Sequence, residues 1–287
     1  MIRVCLIGLG KTGKEIAKAL LNQKKMKLVS VVCSSDSDKK GKVLSDVIDC
    51  NDSDLVIDSE DDLRQVIFKT KPDVVIDFSN PEATIKNAKL FSKMKVNMVI
   101  GTTGFSDFAL KKLFVLTQKY HNAICYAPNI TLGVNVLMLL THLASSILND
   151  YDFQITEIHH KNKKDVPSGT AVKIAKEIKK GLDTCKENEV EISAIRAGGV
   201  VGKHEVLIIG EEDKIEISHE SFSRKAFAPG AVKAIEFIHD KVGYYEMTDV
   251  LNLQKVLENY LEKESSQRIK KYNKRKREVD KSPVIVG

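Results

Sequence analysis

Tryptophan is absent from this 287-residue chain, proline is scarce at six residues, and the five cysteines do not cluster. Cys5, Cys33, Cys50, Cys125 and Cys185 are odd in number, widely spaced and never in a C-x-x-C pair. That argues against a disulfide framework and against a zinc site, and fits a reducing, cytoplasmic compartment. Cys5, Cys33 and Cys125 fall in apolar strand-like runs, where a thiol packs as a small inert hydrophobe. Long hydrophobic runs are also missing. The longest, 130–148, is interrupted by Asn135, Thr141, His142, Ser145 and Ser146, so a buried helix is expected rather than a membrane span. The chain enters a strand-like run at Ile2, without a charged leader and apolar core, and no signal peptide is expected. The net charge of +6 is concentrated at one end: residues 264–287 carry eight Lys and Arg against three acids. The remainder is nearly neutral, which disfavours nucleic acid as a partner.

What the sequence does have is alternation. Short apolar runs at 2–7, 28–33, 54–58, 73–78, 96–100 and 123–127 read as strands. Between them lie helix-like stretches at 12–24, 60–70, 81–93 and 106–120. Such alternation predicts a parallel sheet covered on both faces. Beyond 130 the pattern changes to a long apolar helix at 131–148, a strand at 152–159, a helix at 169–181, and strands at 189–197, 203–210 and 213–221. A second, α+β domain with a mixed or antiparallel sheet is expected. Helices are expected at 229–240 and 241–262, followed by a basic tail that is frayed or flexible. The domain reading is 1–129, 130–240, a C-terminal helix at 241–262, and a tail at 263–287.

The first chemical motif is Gly8-Leu9-Gly10-Lys11-Thr12-Gly13. It follows a strand and opens a helix, the context in which G-x-G-x-x-G cradles a dinucleotide. Gly8 permits the tight turn, Gly10 lets backbone approach a pyrophosphate, and Gly13 allows helix and strand to pack closely. The helix N-terminus offers free N–H groups and a positive dipole. A doubly wound Rossmann sheet binding NADPH, NADH or both follows. An acid at the end of the second strand would grip a ribose 2′-OH, but Ser34 and Ser35 stand there. Asp36 could serve NADH if the strand runs longer, and Lys39 or Lys40 could reach a 2′-phosphate. The reading is dual use with some preference for NADPH. Gly101-Thr102-Thr103-Gly104 and Ala127-Pro128-Asn129-Ile130 each end a strand on the ligand edge and are expected at the nicotinamide end of the cofactor.

The stretch Glu157-Ile-His159-His160-Lys-Asn-Lys163-Lys-Asp165-Val-Pro-Ser168-Gly169-Thr170-Ala171 is the most specific. Ser168 is a candidate N-cap, and the N–H groups of Gly169 and Thr170 at a helix start suit a carboxylate. Lys163 adds a point charge, and a histidine can supply a proton. Together they describe a site for a small dianion that is also protonated. No metal is expected, because adjacent strand residues face opposite ways and no third ligand stands near His159 and His160.

This stretch, with Gly8–Gly13, Gly101–Gly104, the segments 127–135, 196–204 and 223–231, and Tyr245–Asp249, resembles the 4-hydroxy-tetrahydrodipicolinate (dihydrodipicolinate) reductase family over about residues 1–255. The resemblance implies hydride transfer from NAD(P)H to a cyclic dicarboxylate in lysine and diaminopimelate synthesis. His159 would be the proton donor and Lys163 the second catalytic cation. His160, Ser168, Gly169 and Thr170 would hold the substrate carboxylates. It also implies a homotetramer built through the second domains, with the last helix returning to the first. Arg196, His204 and Arg224 lie in matching motifs; each could contact the substrate or simply satisfy carbonyls between strands. Val166 departs from the family's usual Ala, and the tail runs past the usual end. Two other readings remain. One is a related reductase or dehydrogenase of another amino acid-derived imine or diamino acid. The other is a nucleotide-binding protein without turnover.

Overall fold

A computed structural model describes residues 1–50, 53–182 and 190–280. Its first sheet is assembled from β1 (Ile2–Ile7), α1 (Lys11–Leu21), β2 (Met26–Cys33), the short α2 (Leu44–Val47), β3 (Ile57–Ser59), α3 (Leu63–Thr70), β4 (Val74–Asp77), α4 (Pro81–Lys93), β5 (Asn97–Ile100), α5 (Asp107–Tyr120) and β6 (Ala123–Tyr126). The central strands are apolar on both sides because helices cover both faces. All of β4, from Val74 to Asp77, is shielded from solvent. Asn80 and Ser106 cap α4 and α5 by accepting the N–H groups of Ala83 and Ala109, which fixes where both helices begin.

The second sheet follows α6 (Leu132–Ile147). It contains β7 (Asp152–His159), β8 (Glu191–Arg196), β9 (Gly202–Ile209) and β10 (Lys214–Ser221), with α7 (Gly169–Gly181) between β7 and β8. Its order is β10-β9-β7-β8, with β7–β8 parallel and the other two pairings antiparallel, so it is mixed. Strand β7 alternates strictly: Phe153, Ile155, Glu157 and His159 are buried, while Gln154, Thr156 and Ile158 are half-buried, as is His160 just past its end. The apolar members pack against Val134, Leu137 and Met138 of α6 and Ile174 and Ile178 of α7.

The chain comes back to the first sheet earlier than expected. Helix α8 (Phe227–Ile238) packs on α1, β4, β5 and β6 rather than on the second sheet. Its buried face is lined with small residues, and a Cβ at Gly230 would collide with the carbonyl of Ile130. The expected helix at 241–262 is replaced by β11 (Gly243–Glu246), α9 (Met247–Leu251) and α10 (Leu253–Asp280). Strand β11 pairs in parallel with β6 and completes the order β11-β6-β5-β4-β1-β2-β3.

The described residues from Leu251 form a separate compact unit, within which α10 is one continuous helix. The tail is therefore helical through Asp280, where fraying or disorder was expected. Its Lys, Arg, Glu and Gln are good helix formers, and no Gly or Pro interrupts them before Pro283. Among the described residues, no helix is long and apolar enough to cross a membrane. Cys5, Cys33, Cys50 and Cys125 are free thiols, the first, second and fourth buried; Cys185 lies outside the described residues.

Candidate active site

The glycine loop sits where β1 turns into α1. Gly8 has a positive φ of 90°, and a Cβ there would lie 2.5 Å from the carbonyl oxygen of Phe78. A Cβ at Gly13 would collide with the carbonyl of Gly8, whereas one at Gly10 would meet nothing. Two glycines thus serve packing, and the third keeps open the approach to the bare N-terminus of α1, which has no side-chain cap. Leu9 is buried in the core, while Lys11 is exposed and Thr12 half-buried. This geometry fits a pyrophosphate lying against backbone N–H groups.

The neighbouring strand ends point the same way. Gly101 packs against the ring of Phe78 with no room for a Cβ. Thr102 is buried and its hydroxyl donates to the carbonyl of Asp77, while Thr103 is exposed. At the end of β2, Ser34 is exposed, and Ser35 donates through both its N–H and its hydroxyl to Glu60, at 3.3 and 3.4 Å. Lys39 is half-buried and lies 3.7 Å from Asp38. The acid at this edge comes from the turn after β3, not from β2 itself.

The second cluster is built on the buried face of the four-stranded sheet. Glu157 and His159 share that face because they are two apart on β7. Register places Arg196 opposite His159 on β8, His204 opposite Glu157 on β9, and His219 opposite His204 on β10. Glu157 is fully buried and accepts from Arg196 twice, Nη1 to Oε2 at 2.9 Å and Nη2 to Oε1 at 2.7 Å. Its Oε1 also accepts the N–H of Ser168 at 3.0 Å, and its Oε2 meets Nδ1 of His159. Burial pushes the Glu157 carboxyl up, but Arg196, His159 and the Ser168 N–H outweigh it and hold the group below the ordinary carboxylate range. Burial depresses His159, assisted by Lys163 and Arg196 and opposed by Glu157, so it lies below the usual imidazole value. His204 is pushed down to about 3, chiefly by burial and then by His159.

The loop after β7 supplies the remaining groups. Lys163 pairs with Asp165 at 2.8 Å, and the N–H of Gly169 reaches the other oxygen of Asp165 at 3.4 Å. Burial pushes the Asp165 carboxyl up, but Lys163 foremost holds it below its ordinary value. Ser168 caps α7 by accepting the N–H of Ala171, and its Oγ lies 3.2 Å from Nε2 of His204. Both its N–H and its hydroxyl are engaged within the protein. Thr170 donates to Oδ1 of Asn129 at 2.6 Å, tying the start of α7 to the end of β6.

A cavity of about 70 Å³ collects these pieces. His159, Thr170, Gly202, His204 and His219 line it from the second sheet and α7, and Pro128, Asn129 and Ile130 line it from the end of β6. Residues expected at the cofactor and residues expected at the substrate therefore meet at one place. His160, Lys163, Ser168 and Gly169 are not among the lining residues. A larger depression of about 760 Å³ between α3 and α4, walled by Arg64, Phe68, Lys86 and Lys89, contains no carboxylate or imidazole and does not join this cluster. No group of His, Cys, Asp and Glu among the described residues has metal-site geometry. Sequence reasoning left out Glu157 and His219; for Arg196 it weighed substrate contact against binding carbonyls between strands, and the guanidinium donates to the carbonyls of Ile195 and Asp165 as well as to Glu157. The available signal was the two-residue spacing of Glu157 and His159 on a strand.

Known proteins match this arrangement over nearly its whole length. The family profile described as "Dihydrodipicolinate reductase, N-terminus" matches residues 2–130, and "Dihydrodipicolinate reductase, C-terminus" matches 133–251. The 4-hydroxy-tetrahydrodipicolinate reductase of Methanocaldococcus jannaschii is 35% identical over 89% of this chain and 99% of its own. That of Thermosipho africanus is 40% identical over 74% and 93%. The dipicolinate-bound dihydrodipicolinate reductase of Paenisporosarcina sp. TG-14 superposes with a TM-score of 0.69 at 28% identity, covering 86% of this chain and 97% of that one. With both halves matched in order, a Rossmann sheet carrying the glycine loop and a mixed sheet carrying the histidine cluster, the chain belongs to the dihydrodipicolinate reductase family.

Proposed function

We propose that this protein is an NAD(P)H-dependent oxidoreductase that reduces 4-hydroxy-tetrahydrodipicolinate to tetrahydrodipicolinate on the route to diaminopimelate and lysine. The observation that carries the reading is the meeting of His159 and Thr170 with Pro128, Asn129 and Ile130 around one cavity. A proton source thus stands beside the edge where a nicotinamide would lie. The cofactor, when bound, supplies a hydride. The turn Gly8–Gly13 holds its pyrophosphate, with Gly10, Lys11 and Thr12 on the open side while Gly8 and Gly13 shape the turn by packing and Leu9 anchors it in the core. Gly101, Thr102, Thr103 and Ala127–Ile130 border its nicotinamide end.

His159 donates the proton that balances the hydride. It rests below the ordinary imidazole value, and a bound dianion raises its proton affinity by adding negative charge nearby. Lys163 assists proton transfer and loss of the substrate hydroxyl as water. The N–H groups of Gly169 and Thr170, with His160, hold the substrate carboxylates, one of which takes the place that Asp165 occupies beside Lys163 and Gly169. Ser168 acts by capping α7 and presenting those N–H groups.

NADPH and NADH both serve, with NADPH preferred. Ser34 and Ser35 rather than an acid end β2, Lys39 lies nearby, and Glu60 tempers the preference through Ser35. The working form is a cytoplasmic homotetramer joined through the outer face of the four-stranded sheet, where Ile195 and Ile209 are exposed. The division read from the sequence, 1–129, 130–240, 241–262 and 263–287, is revised in that α8 and β11 go with the first sheet and α10 runs through the 262/263 boundary.

The test is a coupled assay. Substrate made in situ by the preceding synthase is mixed with the protein and NADPH or NADH, and loss of the reduced-nicotinamide absorbance is followed. Substrate-dependent oxidation supports the reading, with kcat/KM higher for NADPH. Dinucleotide binding without turnover on either cofactor overturns it.

A further inference from the structure

Glu157 carries four contacts that the reaction does not account for. Its carboxylate is fully buried, two residues before His159 on the same face of β7. Two guanidinium N–H groups of Arg196, the N–H of Ser168 and Nδ1 of His159 surround it. An ionised carboxylate offers about four acceptor positions and no donor. All are filled, so the group is locked in orientation and cannot give a proton to the ring.

That fixes the chemistry of His159. A nitrogen facing an acceptor-only group carries the hydrogen, so Nδ1 is protonated and Nε2 is the free position. Nε2 lies 3.0 Å from where a Cβ of Gly202 would stand, and Gly202 and His159 both line the cavity. Absence of a side chain at Gly202 leaves that side of the ring open. Arg196 does more than neutralise Glu157. Its Nη2 also donates to the carbonyl of Asp165 at 2.7 Å, and its Nη1 to the carbonyl of Ile195 at 2.9 Å. One guanidinium therefore ties β8 to both the carboxylate behind His159 and the loop that carries Lys163.

We infer that Glu157, clamped by Arg196, is the positioning residue of this site: it fixes the tautomer and orientation of His159 so that the transferable proton sits on Nε2, toward the cavity. The inference rests on the reading of His159 as proton donor. The groups facing His159 are Glu157 on its own strand, Arg196 on β8, His204 on β9 with His219 beyond it on β10, and Lys163 with Asp165 in the loop. Of these, Glu157 opposes the lowering by burial, Lys163 and Arg196. Removing its charge leaves that lowering unopposed, and protonated His159 becomes scarcer at neutral pH.

A competing account is that Glu157 is only the counter-ion that lets Arg196 be half-buried. Two variants separate the accounts, Glu157→Gln and the double change Glu157→Gln with Arg196→Gln, the second restoring charge balance. Each is followed by thermal unfolding, by the pH profile of kcat, and by nitrogen NMR of His159 in the ligand-free protein. Expected is a loss of kcat of at least about 100-fold at neutral pH in both variants. The limb reporting protonated His159 should move to lower pH, and its Nδ1–H signature should be lost, while the double variant regains thermal stability. A double variant that regains kcat along with stability, or a folded Glu157→Gln protein whose His159 keeps its tautomer and titration, overturns the inference. Because the NMR signature needs no turnover, a wild-type protein that shows it but does not reduce the substrate would refute the reaction and leave the positioning role standing.

Discussion

The seven-stranded and the four-stranded sheets bury different things. In the first, β1, β4 and β5 are apolar apart from Arg3, Asn97 and the buried Asp77, whose carboxylate accepts the N–H and hydroxyl of Ser79, and the glycines and backbone N–H groups at the strand ends are what remains open to a ligand. In the second, a carboxylate and two imidazoles are buried on the face that also packs α6 and α7, beside a half-buried guanidinium. A parallel sheet covered on both faces has no wet surface on which to place such groups. An alternating strand can place them two residues apart among its core positions. On the proposed function, cofactor binding depends on the space around the backbone and substrate chemistry on side-chain charge.

That contrast is sharpest for a single added methyl group. Gly8→Ala puts a Cβ against the carbonyl of Phe78 at a positive φ. It is expected to cost roughly 2–5 kcal/mol of stability and to abolish measurable dinucleotide binding in a direct titration. Gly10→Ala meets open space, so it should fold normally and weaken dinucleotide binding alone. Equal stability of Gly8→Ala and wild type would remove the packing role assigned to that glycine.

The buried row of the second sheet should instead show itself through pH. His204 titrates near 3 in the folded protein and at about 6.5 unfolded. As pH falls through 6.5 the unfolded chain takes up a proton and the folded one does not, so stability is lost from there down to about 3. One such group contributes a slope of up to about 1.4 kcal/mol per pH unit. His159 and His219 act in the same direction. His204→Asn should give a visibly flatter fall in unfolding free energy between pH 6.5 and 4. Parallel curves for variant and wild type would show that His204 is not held neutral.

The smallest effect expected lies at the far end of the cofactor edge. Glu60 takes two hydrogen bonds from Ser35 at the end of β2. Glu60→Gln removes a negative charge where a 2′-phosphate would lie, so the ratio of kcat/KM for NADPH over NADH should rise a few-fold. An unchanged or lower ratio would place the 2′-position elsewhere.

The sequence revealed the two regions unequally, and the difference is physical. Periodicity and the glycine spacing located β1, α1 and the turn between them, because those signals are local. The alternation of β7 is equally local, but it was applied only to set His159 and His160 on opposite faces, and Glu157 beside His159 was passed over. What stayed hidden was long-range: Arg196 reaches Glu157 across the β7–β8 pairing, 39 residues away, and no local pattern announces it. Helix α8 was assigned to the second sheet because its position in the chain follows β10, yet its small-residue face fits the first. Strand β11 is four half-buried residues, too short for alternation to register. The helix beyond 264 was missed because an apolar face was sought where propensity alone sufficed.

The division of labour between the two sheets is tested most directly by measuring NADPH affinity and turnover together in His159→Gln and Lys163→Ala. The account predicts a loss of kcat of about 100- to 10,000-fold in each, with the dissociation constant for NADPH unchanged within about two-fold. Turnover that survives both substitutions, or NADPH binding that falls in step with kcat, would contradict it.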